Sequence, residues 1–412
     1  MQKRFTPDAG GVFPEWEEVT LGDIAEFSRG KGLTKKDVSE KGERKCLLYG
    51  QLQVRYGTII KNVTGMTDVE LKNPVLSKSG DVLISGTISA GLAKASCIKE
   101  DGVIIGGDIN ILRPKEGIDG EFLARAINAN TKKFKRFLEG SVILHLKNEN
   151  IKEVSIRIPK SIEEQRKIAA VFAAYDEMIA VKTAKLETWQ ECKKRMVKEI
   201  FGRTKRFKDD DGREFPEWEE KTLEEVAELK NGFAFSAKSY DKDNSGDYRI
   251  ITIGNLQESK NIVISNKTKT VLKAPENIKE HQVLKNGDIL VALTGATAGR
   301  VALNVGINNL LNQRVGKLQI KDTVNVDNEF LYHIVSQERF EKEMKKKGHG
   351  SAQPNLSKCD VEGFSFSLPC IEEQQKIGSF LAEIDKEIEI QKEFIKTYAE
   401  GKKRMMRELM EG

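Results

Sequence analysis

Cysteine and histidine are scarce in this chain, five and four in 412 residues. Cys46, Cys97, Cys192, Cys359 and Cys370 form no CxxC pair, and His145, His281, His333 and His349 form no spaced ligand set. Neither a zinc site nor a redox framework is expected, and a reducing cytosol is the simplest compartment. Long apolar runs are missing as well. The start, Met1-Gln2-Lys3-Arg4-Phe5-Thr6-Pro7, has no apolar signal region. The charge-free stretch from Val82 to Ala93 is too short and too rich in glycine to span a bilayer. A soluble cytoplasmic protein without a membrane partner is expected. Nor does one sign of charge dominate. Lys and Arg number 68 against 63 Asp and Glu, a net charge of +5, which by itself does not point to nucleic acid.

Catalytic signatures are absent too. Gly86-Thr87-Ile88-Ser89-Ala90-Gly91 begins like a phosphate loop, but Leu92-Ala93 stand where Lys-Ser/Thr is required. Gly295-Ala296-Thr297-Ala298-Gly299-Arg300 fails the same test. Both read better as glycine-rich turns between strands. Asn73-Pro74-Val75 lacks the second proline and aromatic of an amino-methyltransferase site. A chain that does no chemistry, and holds no cofactor or metal of its own, is expected.

What the chain has is a repeat. Phe13-Pro14-Glu15-Trp16-Glu17-Glu18 returns 202 residues later as Phe215-Pro216-Glu217-Trp218-Glu219-Glu220. Ile162-Glu163-Glu164-Gln165-Arg166-Lys167-Ile168 returns 209 residues later as Ile371-Glu372-Glu373-Gln374-Gln375-Lys376-Ile377. Lys193-Lys194-Arg195-Met196 returns at the same spacing as Lys402-Lys403-Arg404-Met405. The period is too long for a solenoid unit and is the size of a domain. A duplicated domain implies a duplicated target, or one target with two halves.

Each copy opens with a variable block. In the first, Leu21 to Phe27 reads as a short helix or turn, and Val54–Ile60, Asp81–Ser85 and Val103–Ile105 as strands punctuated by Gly and Asn. A helix is expected over Glu121–Phe137 and a closing strand over Val154–Ile158. The second block follows the same order, with Gly287–Ala292 as a strand, Phe330–Met344 as the helix and Phe364–Leu368 as the closing strand. Each block is followed by a heptad seam: Ile168, Phe172, Tyr175, Ile179, Leu186, Trp189, Met196 and Ile200, then Ile377, Leu381, Ile384, Ile388, Ile395, Tyr398, Met405 and Leu409. Some 40 helical residues make a rod of roughly 60 Å. Two rods in one chain pack most economically against each other, antiparallel.

The expected fold class is therefore α+β: two blocks with small β-sheets, joined by two long antiparallel coiled-coil helices, with an internal pseudo-twofold repeat. The expected division is a first block over residues 1–160, a first helix over 161–201, a connecting loop over 202–214, a second block over 215–369 and a second helix over 370–412. Basic clusters fall at matching places in the two blocks, Lys132, Lys133, Lys135 and Arg136 against Lys345, Lys346 and Lys347. A third runs from Lys193 to Lys208.

Two variable blocks alternating with two near-identical heptad helices resemble the specificity subunit of type I restriction–modification enzymes. The resemblance covers nearly the whole chain. It rests on the block openings at Trp16–Ala25 and Trp218–Ala227, the helix starts at Pro159–Ile168 and Pro369–Ile377, and the Lys-Lys-Arg-Met endings. It implies that each block is a target-recognition domain reading one half of a split, asymmetric site in double-stranded DNA. The helices would set the gap between half-sites and dock two methyltransferase subunits. Those partners would hold S-adenosylmethionine and methylate adenine at N6, while restriction and translocase subunits would use ATP and Mg.

Base edges are read by short polar or forked side chains on turns. In the first block these are Ser85, Thr87, Ser89, His145, Lys147 and Asn148. In the second they are Thr294, Thr297, Arg300, Gln313, Arg314, His349, Ser351, Gln353 and Asn355. The matched lysines and Arg136 are assigned to phosphates. His145 and His349 fall near equivalent positions, just after each basic helix. Phe13-Pro14-Glu15-Trp16 reads as a structural latch. A reading from another class remains open: a non-catalytic coiled-coil scaffold carrying two domains that bind protein or glycan ligands. A standalone methyltransferase or nuclease would need motifs the chain does not contain.

Overall fold

The computed structural model describes residues 4–39, 41–88, 94–135, 144–348 and 355–410. The chain forms two compact units, Met1–Thr183 with Glu393–Gly412, and Ala184–Lys392. Each unit contains one variable block together with segments of both long helices.

In the first unit, a five-stranded sheet runs in the order Ala25–Arg29, Ile109–Pro114, Val82–Ser85, Ala95–Ile98, Ile59–Ile60. Its neighbours are antiparallel except the last pair. Val82 to Ser85 are all buried, as a central strand requires. A smaller sheet orders Met66–Thr67, Arg44–Leu47 and Ile104–Ile105. The strands Glu17–Thr20 and Ser155–Ile158 pair antiparallel and bring the start and end of the block together.

The second unit repeats this plan. Ala227–Asn231, Val315–Ile320, Ile289–Ala292 and Val301–Leu303 form an antiparallel sheet. Thr270–Val271, Tyr248–Ile251, Asn309–Leu311 and Val283–Leu284 form the second sheet, with Tyr248–Ile251 and Asn309–Leu311 parallel. Glu219–Thr222 and Ser365–Leu368 close the block.

The two long helices run over Ile162–Phe201 and Ile371–Met410. Their apolar stripes join the cores of the blocks. In the first unit Ile168, Phe172, Leu409 and Met410 pack with Trp16, Phe122 and Ile156. In the second, Met196, Ile200, Ile377, Leu381, Ile384 and Ile388 pack with Trp218, Leu223 and Phe330. Each such buried side chain contributes roughly 1.5–3 kcal/mol relative to exposure, so block and helix fold as one core within each unit. The run of partners in the first unit shows that its two helical segments are antiparallel: Phe172 lies with Leu409 in one cluster, Tyr175 meets Tyr398, and Lys182 lies over Phe394.

Three expectations about elements are corrected. Val54–Ile60 is not one strand, because Tyr49–Val54 is a helix whose Gln51 side-chain carbonyl accepts from the Leu48 N–H, leaving Ile59–Ile60 as the strand. The helix expected over Glu121–Phe137 breaks at Asn130, whose amide donates to the Ala126 carbonyl and caps Gly120–Ala129; a short helix follows at Thr131–Phe134. Its counterpart breaks likewise, into Asn328–Val335 and Glu338–Lys347.

Candidate nucleic-acid interface

The repeated motifs first fix the blocks on the helices. Glu164, 1 % exposed, accepts from the indole N–H of Trp16 and from the Arg4 guanidinium, which also donates to the Pro14 carbonyl. Glu373, fully buried, accepts from Trp218 at 2.9 Å and Arg206 at 2.8 Å, and Arg206 also donates to the Phe215 and Pro216 carbonyls. The next residue serves the block's helix. The Gln165 side chain accepts from Asp119 N–H and donates to Gly117 and Pro159 carbonyls, as Gln374 does for Asp327, Asn325 and Pro369. Lys167 reaches Thr6 and Asp8, and Lys376 reaches Lys208 and Asp210. The Phe-Pro-Glu-Trp motif is thus part of a latch. The segment 202–214 is no mere connector, since Arg206 and Lys208 are the second copy's counterparts of Arg4 and Thr6.

With the blocks held this way, one polar junction forms in each. In the first, Thr87 pairs with His145 across an antiparallel bridge, and the Leu146 N–H donates to the Gly86 carbonyl at 2.9 Å. The Gly86 N–H donates to the Asp108 carbonyl at 2.7 Å. Asp108, with φ of 65°, takes the Thr87 hydroxyl on one carboxylate oxygen and the Arg29 guanidinium, at 2.6 Å, on the other. A side chain at Gly86 would lie 2.4 Å from that carboxylate, so the turn requires glycine. Asn148 donates to the Ser28 carbonyl beside Arg29. Thr87, His145 and Asn148 are therefore brought together, with Lys147 next to them in the chain.

The second junction has the same main-chain frame. Thr294 bridges to Asn355, the Leu356 N–H donates to the Leu293 carbonyl at 2.8 Å, and the Leu293 N–H donates to the Arg314 carbonyl at 3.0 Å. Arg314 thereby occupies the place of Asp108, and Asn355 is the register partner of His145. Gln313, Arg314 and Asn355 are exposed, while the hydroxyls of Thr294 and Thr297 are buried without a hydrogen-bond partner among the described residues. Gly299, just beyond, lies against Met344 of helix Glu338–Lys347, which sets the basic helix beside this turn.

Two expected readers have other work. Ser85 is 2 % exposed and its hydroxyl donates to the Thr87 carbonyl, so it braces the turn from inside. Arg300 lies 3.5 Å from Glu258 in a cleft of about 660 Å³ that Lys260, Tyr332 and Asp385 also line. Among the lysines, Lys345 pairs with Glu341 and Lys347 with Glu343, one turn away, and Lys133 donates to the Ser155 carbonyl. Lys132, Lys135 and Lys346 are exposed and have no acidic partner among the described residues. In the third cluster, Lys193 is paired with Asp385 and Arg206 with Glu373. Ser89, Arg136, His349, Ser351 and Gln353 lie outside the described residues.

Arg29 and Asp108 are absent from the sequence-based set. They are 79 positions apart in the chain, and only the pairing of Ala25–Arg29 with Ile109–Pro114 brings them together. Among the described residues no group of His, Cys, Asp and Glu could hold a metal ion, and no helix is long and apolar enough to cross a membrane.

Residues 14–188 and 216–397 match the family described as the type I restriction modification DNA specificity domain. The chain is 26 % identical to the type I restriction enzyme MjaVIII specificity subunit of Methanocaldococcus jannaschii, over 97 % of this chain and 92 % of that one. It is 26 % identical to the MjaIX specificity subunit of the same organism, over 55 % of this chain and 54 % of that one. Its fold is similar to the crystal structure of the S subunit of a type I restriction–modification system from M. genitalium, with a TM-score of 0.70, 15 % identity and coverage of 98 % and 99 %. Since the family match takes in both copies of the repeat, the chain belongs to the type I restriction–modification specificity subunits, and its two blocks are DNA target-recognition domains.

Proposed function

We propose that this chain reads a bipartite, asymmetric site in double-stranded DNA, one half per block, and does no chemistry itself. The observation that carries the reading is the pair of polar junctions. The same main-chain frame carries His145 and Asp108 in one block and Asn355 and Arg314 in the other. Base edges differ in their pattern of donors and acceptors, so unlike side chains on like frames suit two unlike half-sites. Lys132, Lys135 and Lys346 supply phosphate contacts that fix register without reading sequence.

The long helices dock two adenine-N6 methyltransferase subunits, and restriction and translocase subunits join that assembly. S-adenosylmethionine, ATP and Mg belong to those partners. The chain supplies the address, and its partners supply the reactions.

A methylome tests this. The chain is expressed with its neighbouring methyltransferase in a host lacking adenine methylation, and the DNA is sequenced with modification detection. A split motif with unlike halves and methyl-adenine on both strands is expected. Exchanging residues 215–369 for another recognition domain should then change one half and spare the other. Absence of new methylation, with the methyltransferase folded and bound to this chain, would favour a scaffold that binds other ligands.

A further inference from the structure

We propose, resting on the DNA-reading role above, that Arg29 is a base-reading residue of the first block, aimed by Asp108, and that Arg314 reads for the second block. The Arg29 side chain is half exposed, and its Nη2 donates to Asp108 Oδ1 at 2.6 Å. The carboxylate is itself pinned, because its second oxygen accepts the Thr87 hydroxyl. The Asp108 carbonyl accepts the Gly86 N–H as well. A carboxylate fixed at several points is a rigid rest for a guanidinium. It holds the fork at Nη2 while the side chain as a whole stays half exposed.

The Arg29 side chain is 52 % and the Asp108 side chain 22 % exposed, so the pair by itself contributes little to folding. Asp108 holds a left-handed conformation (φ 65°), which aspartate adopts more readily than most residues, and a side chain at Gly86 would meet its carboxylate. The arrangement suits a ligand that needs a planar, oriented donor pair. The major-groove edge of guanine, with O6 and N7 as adjacent acceptors, is that ligand. Lysine could not replace arginine here, because it offers a point charge in place of a fork.

In the second block Arg314 projects from the position of Asp108, with its carbonyl in the same hydrogen bond and Gln313 and Asn355 exposed beside it. No acidic partner for Arg314 occurs among the described residues. The two blocks thus present a guanidinium at equivalent junctions but from different strands, so guanine is expected at different offsets in the two half-sites.

The test uses the full-length chain, alone and co-purified with its methyltransferase subunits, and a randomised DNA duplex pool from which bound molecules are sequenced. Wild type, Arg29→Lys, Arg29→Gln, Asp108→Asn and Arg314→Lys are compared, with thermal melting of each. The wild type is expected to select a split motif with guanine in both halves. Arg29→Lys and Arg29→Gln should lose about 10- to 100-fold preference at one G·C pair of one half. Asp108→Asn should weaken that same pair, and Arg314→Lys a pair in the other half. A motif unchanged in the folded Arg29 variants, or affinity lowered equally for all sequences, overturns the inference while leaving the DNA-reading role intact. If the wild type selects no motif in either form, both fall together.

Discussion

His333 and Asp385 face each other at 3.8 Å in the interior of the second unit, and neither His333 Nε2 nor Asp385 Oδ2 has a hydrogen-bond partner among the described residues. Lys193 and Lys260 lie on the other sides of Asp385. The first unit solves the same junction differently: Asp176 accepts from the buried Arg125 at 2.8 Å and pairs with Lys402. A permanent cation in one copy corresponds to a titratable group in the other. Burial, reinforced by Lys193 and Lys260, pushes the His333 imidazole well below its ordinary pKa of 6.5.

The direction of that shift sets a pH dependence. His333 is neutral in the folded chain and takes up a proton near pH 6.5 on unfolding, so the unfolded state binds more protons below that pH. Stability is fully present above pH 6.5 and is lost as pH falls, by at most about 1.4 kcal/mol per pH unit from this one group. Denaturant midpoints measured between about pH 7.5 and 5 should fall in the wild type and fall less steeply in His333→Gln. Equal slopes would show that His333 does not carry the effect.

The latch makes a second prediction. Glu373→Gln removes the charge that Arg206 donates to and weakens the acceptor of Trp218. Breaking a buried pair on one side costs about 3 kcal/mol. A double-mutant cycle with Arg206→Met, followed by denaturant unfolding, should show strong coupling, since the double variant leaves no buried unpaired charge, only the exposed Glu217. Additive effects would mean that Trp218 packing, rather than the ion pair, holds the block to its helix.

Salt dependence separates the lysines. Removing one phosphate-bound cation should reduce the slope of log K against log salt by about 0.9. Lys346→Ala, at an unpaired position, should show that reduction for DNA of any sequence. Lys347→Ala should show less, because Lys347 is engaged by Glu343 and the Asp360 carbonyl. Equal slopes for all three proteins would remove helix Glu338–Lys347 from the interface.

Gly86→Ala addresses the first junction alone. The added methyl group meets the Asp108 carboxylate at 2.4 Å and must displace it, carrying Arg29 away from its position. Recognition of one half-site should weaken by about 10-fold or more, as when a bidentate base pairing is removed, while the other half is unaffected in the same duplex selection. Loss of both halves together would point to unfolding, which circular dichroism would register.

The long helices were legible because their heptads repeat without a gap, and the latch because its motif occurs twice. Breaks inside elements were not legible, since Asn130 ends a helix through one side-chain hydrogen bond to Ala126 while the apolar spacing runs on past it. At the junctions, the turn residues Thr87, Thr294 and Arg314 were legible from composition and glycine content. Arg29 was not, because it looks like an ordinary strand-end residue until Asp108 comes across from the adjoining strand. Ser85 was read as a strand end, as it is, but its burial was not legible, because alternation along so short a strand does not show that both faces are covered.

The frame shared by the two junctions consists of main-chain hydrogen bonds from residue 86 to 108 and from 146 to 86, and from 293 to 314 and 356 to 293. No side chain supplies any of them. Because these bonds are main-chain, exposed side chains such as Arg314 and Asn355 can be exchanged without removing any of them, whereas Gly86 and the left-handed Asp108 are constrained by space and by conformation. Acid at 108 in one copy and base at 314 in the other thus stand at one place in a single architecture.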